Sequence, residues 1–278
     1  MAVIQGIFAR EILDSRGIPT VECTLWLDTG VVVQSSVPSG TSKGKHEAVD
    51  LRDNDPQRFL GKGVLTAVNN IHTIINPLLI GQDPTRQAEL DQAMVQADGT
   101  PTLSKLGTNA VTAVSIAIAK AAAVSLGLPL YQYLANTYQL TEVPAIPTCV
   151  YTVINGGEHG ADNLDIQEFQ VVPASFMDFP TSLNLAHTMF MKLGEVLVAK
   201  GAIHSFGMVG GYTPNLYNNV DAFELLVETT KASPYTFAQD LFFGVDIGAT
   251  GLFSTGRYML KDKPQPYSNK EMMDLYRS

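Results

Sequence analysis

The chain has 278 residues, 45% of them hydrophobic and 16% charged, so it has the apolar content for a sizeable core in one large domain or two ordinary ones. Lys and Arg number 18 against 27 Asp and Glu, a formal net charge of −9. A surface of that sign repels phosphate backbones and anionic lipid, which argues against nucleic acid and membranes as partners.

Two cysteines, Cys23 and Cys149, make neither a disulfide framework nor a zinc site and suit a reducing cytosol. At the N-terminus, Arg10 and Glu11 bring charge too early for a secretory apolar region. The longest apolar stretch, Leu106 to Ala119, falls short of the ~20 residues that cross a bilayer. These features predict a soluble cytoplasmic protein.

Two β-rich runs, residues 21–27 and 31–37, flank the hairpin turn Asp28-Thr29-Gly30. A polar loop rich in Gly, Ser and Lys follows at residues 38–45, and helical patterns dominate from about 56 to 135. Among them, the Ala-rich continuation to Leu126 reads as a buried helix ended by Gly127 and Pro129. Residues 1–140 are therefore expected to form an α+β domain, a small antiparallel sheet plus helices. Residues 142–147, with two prolines, have the stiffness of an interdomain linker.

The rhythm then changes. Strands are predicted at 148–154, 166–172, 203–206 and 241–247. Helices are predicted at about 180–199, closed by Gly201, and at 219–231 with Asn218 or Asn219 as cap. Residues 268–278 read as a capped amphipathic helix. Strands alternating with helices imply parallel β/α units. A closed barrel of eight such units takes roughly 250 residues, so residues 141–278 are expected to form an incomplete β/α barrel, about half of one. Such a half-barrel exposes a sheet edge that invites a partner.

Several motifs carry a resemblance. Residues 9–17, Ala-Arg-Glu-Ile-Leu-Asp-Ser-Arg-Gly, followed by Pro19-Thr20-Val21-Glu22, open the chain. Val37-Pro38-Ser39-Gly40 with Ser42 and Gly44, then Gly61-Lys62-Gly63-Val64, Asp98-Gly99-Thr100 and Ser104-Lys105-Leu106-Gly107, continue it. Ile154-Asn155-Gly156-Gly157 with His159, Asp165-Ile166-Gln167-Glu168-Phe169, and Gly210-Gly211 with Pro214-Asn215-Leu216 complete it. In this order the motifs resemble the enolase family, the phosphopyruvate hydratases that convert 2-phosphoglycerate to phosphoenolpyruvate in glycolysis.

That resemblance implies an enolase-type barrel, Mg2+ as cofactor, and pairing as a homodimer or with an enolase subunit. It implies that Glu168 and Gln167 lie near substrate on a barrel strand, with His159 as the substrate-proximal loop histidine. Ser39 is implied as the lid serine that joins the second magnesium, and Asp246 as the first of three carboxylate ligands of the tighter magnesium. The chemistry explains the set. Removing a proton next to a carboxylate makes a dianionic enediolate that needs metal ions and a base, and an acid must protonate the departing hydroxide.

On the residues alone, Glu168 reads either as a functional carboxylate or as a salt-bridge partner at a sheet rim. Asp246 reads also as a helix cap or surface residue, His159 as an exposed histidine, and loop 38–45 as an ordinary flexible loop. His46, His72, His187 and His204 show no partner pattern and read as exposed or core residues.

The chain departs from the family at its centre. Where the family has Gly-Asp-Glu-Gly-Gly, residues 207–211 are Gly-Met-Val-Gly-Gly, so the acid Glu falls at Val209 and its Asp neighbour at Met208. Neither side chain donates a proton, and losing a positioned acid costs about 10²–10⁴-fold. Ile18, Lys43 and the run Gly248-Ala249-Thr250-Gly251 also differ from the family pattern. The family's other metal carboxylates, base lysine and phosphate-binding residues belong to later barrel strands than this sequence holds, and a lone Asp246 is a weak magnesium site. The expectation is a chain that by itself does not dehydrate 2-phosphoglycerate, with the alternative of a non-catalytic partner of a full-length enolase subunit or one part of a split enolase.

Overall fold

The computed structural model describes residues 2–40, 43–140, 145–261 and 263–277. Two compact units are present, one of Met1–Gly40 with His46–Ala145, the other of Thr41–Lys45 with Ile146–Ser278. Much of the expected linker, and Ser42 of the loop motif, lie outside the described residues.

Unit 1 begins with an antiparallel sheet in the order β1 (Ile4–Leu13), β2 (Pro19–Leu27), β3 (Val32–Ser36). Along β2, Val21, Cys23, Leu25 and Leu27 are buried while their neighbours alternate outward, the period-two pattern of a sheet with one apolar face. A 3-10 turn (Phe59–Gly61) and the helices α1 (Leu65–Asn70), α2 (Asn76–Leu79), α3 (Gln87–Asp98), α4 (Thr108–Ser125) and α5 (Leu130–Tyr138) follow.

The apolar face packs on α4, whose buried alanines at 110, 113, 117 and 121 admit close approach of helix to sheet. The Ser35 hydroxyl donates to the Ala113 carbonyl at 2.5 Å and pins the two layers. By length and composition α4 could cross a membrane; most of it is buried in this core instead. Burial pushes the Cys23 thiol up to about 12, so it stays a protonated packing group.

The outer edge of β1 is closed by side chains. Between α1 and α2 the helix widens into a π-helical turn, Ile71–Ile75. His72 Nε2 accepts from the Ala9 amide at 3.0 Å, and Asn76 Oδ1 accepts from the Ile7 amide at 2.8 Å. His72, which shows no pattern in the sequence, is thus an edge cap, stacked on Phe8.

Unit 2 contains β4 (Tyr151–Asn155), a 3-10 turn (Gly157–His159), β5 (Glu168–Pro173), α6 (Phe179–Ala199), α7 (Asn219–Lys231) and β6 (Leu241–Asp246). After them come a short α8 (Ala249–Leu252), the two-residue ladder β7 (Phe253–Ser254) with β8 (Arg257–Tyr258), and α9 (Asn269–Arg277). Asp178 caps α6 by accepting from Thr181 N, and Asn218 caps α7 in a reciprocal box with Asp221. Ser268 and Glu271 form the matching box at α9.

Two expectations fail here. The strands β4, β5 and β6 lie side by side in that order, and both pairs are antiparallel, not parallel. The cause is what separates them. Only a loop joins β4 to β5, so the chain turns straight back. Two helices, α6 packed on α7, join β5 to β6, and two reversals return the chain opposite to β5 where a single crossover helix would restore its direction. Residues 203–206 form no strand; Phe206 makes one isolated bridge to Tyr212 across a glycine-rich turn.

The core of unit 2 joins Phe169 and Val171 of β5 to Leu185, Met189, Leu193 and Leu197 of α6. The opposite side of β5 carries Glu168, Gln170 and Val172, all half-buried. That alternation aims the polar residues of the strand away from the helices.

Candidate active site

The site is built on the ends of β4 and β5 and on two loops. The loop from Gly156 to Gln167 returns on itself, with Gly156 N donating to Gln167 O at 2.9 Å and Gly157 N to Leu164 O at 3.0 Å. Its far side is held from below. Asn219 Oδ1 accepts the amides of Asp165 and Ile166 at 3.0 and 3.1 Å, and Asn163 donates to the carbonyls of Pro214 and Leu216. Asn219 is therefore a loop anchor, and the helix cap beside it is Asn218.

Three of the six residues singled out in the sequence meet in this frame. His159, buried at the end of its 3-10 turn, has Nδ1 2.9 Å from Glu168 Oε1. Gln167 Nε2 lies 2.8 Å from His159 Nε2 and 3.2 Å from Nδ1. Glu168 Oε2 accepts from Thr152 Oγ1 of β4 at 2.5 Å and from Gln170 Nε2 at 3.2 Å.

Thr152 and Gln170 are absent from the sequence-based site. The available signal was their polarity on apolar strands: the register pairs them directly, and Gln170 stands two residues along from Glu168 on the same face.

Asp246 lies opposite Glu168 in the β5–β6 register. Its carboxylate is exposed and accepts the Gly248 amide at 3.1 Å. Gly248 has φ +62°, and a Cβ there would come within 2.1 Å of Gln167 Oε1. The positive φ favours glycine here, and a Cβ would push the Gln167 side chain aside.

Val209 lies on the turn from Gly207 to Gly211, where Gly207 N donates to Gly211 O at 2.8 Å. Two bonds fasten this turn to the site: Met208 N to His159 O at 3.0 Å, and Gly211 N to Asn155 Oδ1 at 2.9 Å. Gly207 is required by contact, since a Cβ would meet Asn155 Oδ1 and His159 O at 2.6 Å each. The backbone of the turn is thus seated beside His159 while its side chains are apolar. Met208 is 45% and Val209 44% exposed, so neither fills a core position.

Ser39 belongs to unit 1 and is buried there. Its hydroxyl donates to Asp14 Oδ2 at 2.7 Å and accepts from Arg16 Nη2 at 3.0 Å. Burial alone would raise the Asp14 carboxyl. The bonds from Ser39, from the amides of Ile18 and Arg16 and from the Arg16 guanidinium outweigh it and hold the group well below the usual carboxylate range. Ser39 is a closing member of that local network.

These residues do not fit a magnesium ion. Mg2+ takes six oxygens in near-ideal octahedral geometry, usually from one or two carboxylates plus water and substrate phosphate. No cluster of three or more His, Cys, Asp or Glu that could hold a metal occurs among the described residues. The two Glu168 oxygens already hold three protein donors, and Asp246 is left as a single exposed carboxylate. What the arrangement offers chemically is a carboxylate–imidazole couple with both partners ordered by neighbours.

The sequence model of the enolase N-terminal domain matches residues 4–134, and that of the enolase C-terminal TIM barrel domain matches residues 143–278. The two matches cover almost the whole described chain, in the order that the sheet-plus-helix unit and the strand-and-helix unit occupy it. This chain belongs to the enolase family.

Proposed function

We propose that this protein is an enolase homologue that keeps the family's substrate-facing cluster, Glu168, His159 and Gln167, but does not by itself dehydrate 2-phosphoglycerate to phosphoenolpyruvate. One observation carries the reading. The turn that should present the acid is tied through its backbone to His159 and Asn155, yet it presents Val209 and Met208. The scaffold of the acid step is kept and its proton donor is gone, and such a loss costs about 10²–10⁴-fold. In this reading Asp246 and Ser39 do not hold magnesium in the chain alone, residues 1–140 and 141–278 are its two domains, and its setting is the cytoplasm.

The test is direct. Phosphoenolpyruvate formation from 2-phosphoglycerate is followed by ultraviolet absorbance with the purified chain and excess Mg2+. Background rates are expected; robust turnover overturns the proposal.

A second reading has its own support. The outer edge of β6 has no strand partner among the described residues, and Phe242 and Val245 on that strand are exposed. A free apolar edge favours a chain that pairs with an enolase subunit, or that serves as one part of a split enolase. Co-purification with an intact enolase subunit supports this; a strictly monomeric chain that ignores the subunit counts against it.

A further inference from the structure

The geometry points to Thr152 as a positioning residue that locks Glu168, and through it His159, into a hydrogen-bonded chain in which Glu168 is held by protein donors and is not a metal ligand. This goes beyond the loss of turnover argued above, because it concerns groups the chain retains.

The argument is one of donors and acceptors. An ionised carboxylate only accepts, so the 2.9 Å contact with Glu168 Oε1 puts the imidazole proton on His159 Nδ1. His159 Nε2 then carries the lone pair, with Gln167 Nε2 packed against the ring at 2.8 Å from Nε2 and 3.2 Å from Nδ1. At the other end Thr152 Oγ1, a donor on the adjacent strand, holds Glu168 Oε2 at 2.5 Å, a short charge-assisted bond. Gln170 adds a longer bond to the same oxygen. The order Gln167 to His159 to Glu168, closed by Thr152, leaves no ring nitrogen and no carboxylate oxygen without a protein partner.

The surroundings favour this arrangement. His159 and Gln167 are buried, so an unsatisfied polar atom at either would be costly. Gly248 allows Gln167 to lie against the backbone after β6. The Met208 amide fixes the His159 carbonyl, which sets the ring's own backbone. Three protein donors take up most of the roughly four acceptor sites of the Glu168 carboxylate and leave it little capacity for a metal ion.

Imidazole nitrogen-15 NMR on the full chain tests the lock. The expected spectrum shows His159 as the Nδ1–H tautomer, with a proton slow enough in exchange to be resolved. Thr152→Val should broaden that proton away, because the carboxylate is no longer fixed, while Thr152→Ser restores it. Titration with Mn2+, followed by electron paramagnetic resonance, should leave the free-ion signal undiminished at one equivalent. An Nε2–H tautomer, a proton unaffected by Thr152→Val, or a stoichiometric Mn2+ site abolished by Glu168→Gln would each overturn the assignment. If Thr152→Val does not fold, Thr152→Ala makes the same test with the smaller side chain, and a His159 proton as sharp in it as in the unaltered protein overturns the role of Thr152. Enolase turnover by the same sample would sink the proposed function and leave this result standing.

Discussion

The two units use their polar side chains in different ways. In unit 1 aspartates fasten loops to their own backbone. Asp98 accepts the amides of Thr100, Lys105 and Leu106 at 3.0, 3.0 and 2.6 Å; Asp53 accepts those of Leu65 and Thr66 at 2.9 and 2.8 Å. Asp14 does the same for Arg16 and Ile18 and adds Ser39.

In unit 2 the buried Asn155, Asn219 and Asp165 join segments that lie far apart in the chain, Asp165 accepting from Lys261 N and Asn219 Nδ2 at 3.0 Å each, beside the buried pair His159 and Gln167. The lowered carboxyls there, Asp178 and Glu271, sit at exposed helix starts. A carboxylate that binds its own loop organises a few residues and demands little of the rest. A network between distant segments holds only while those segments stay in register.

Acid should separate the two units most. Burial raises the carboxyls of Asp14, Asp53 and Asp98, but the bonds they accept outweigh it, so each lies lower folded than unfolded. Their stabilisation is complete above the unfolded value near 4 and is lost as pH falls below it through the folded values. Trp26, the sole tryptophan, stands on β2 and reports unit 1. Its urea midpoint should hold between pH 7 and 5 and fall steeply by pH 3; a midpoint flat from pH 5 to 3 breaks the comparison.

Asp98→Ala should remove about 3 kcal/mol or more from the same transition, since three amides lose their acceptor at ~1–3 kcal/mol each. Asn155→Ala should cost unit 2 about 2 kcal/mol, because the Gly211 amide is orphaned inside the protein. Faster amide exchange confined to residues 207–212 is the signature to seek by mass spectrometry. Asp178→Ala removes an α6 cap and should cost about 1 kcal/mol, read as faster exchange in the first turn of that helix.

Smallest of all is Val209→Glu. The position is 44% exposed and its turn is held by backbone bonds, so the melting temperature should barely move, within about 0.5 kcal/mol. A large destabilisation would show that Val209 is a packing residue and that the turn is no longer the seat of an acid.

Much of this was legible in the chain. The hairpin at Asp28-Thr29-Gly30 and the α4 stop at Gly127 are local signals, and each folds as its residues dictate, while the α7 cap, left between Asn218 and Asn219, falls to Asn218. The motif residues Glu168, His159 and Gln167 do converge. His72 and Thr152 gave no such warning. Each acts on a neighbour 63 or 16 positions away, and nothing in the spacing of a single strand or helix encodes which distant group a lone histidine or threonine will meet.

By itself, then, the sequence determined most of the elements, their turns and the family, because these depend on residue type and on neighbours within a few positions. Strand direction in unit 2, the closing of the β1 edge by His72 and Asn76, and the partners that occupy Glu168 and Ser39 were decided only in the folded chain. They follow from which segments are brought side by side. Hydrogen bonds of about 3 Å between residues far apart in sequence exist only once the helices and loops between them have set the distance.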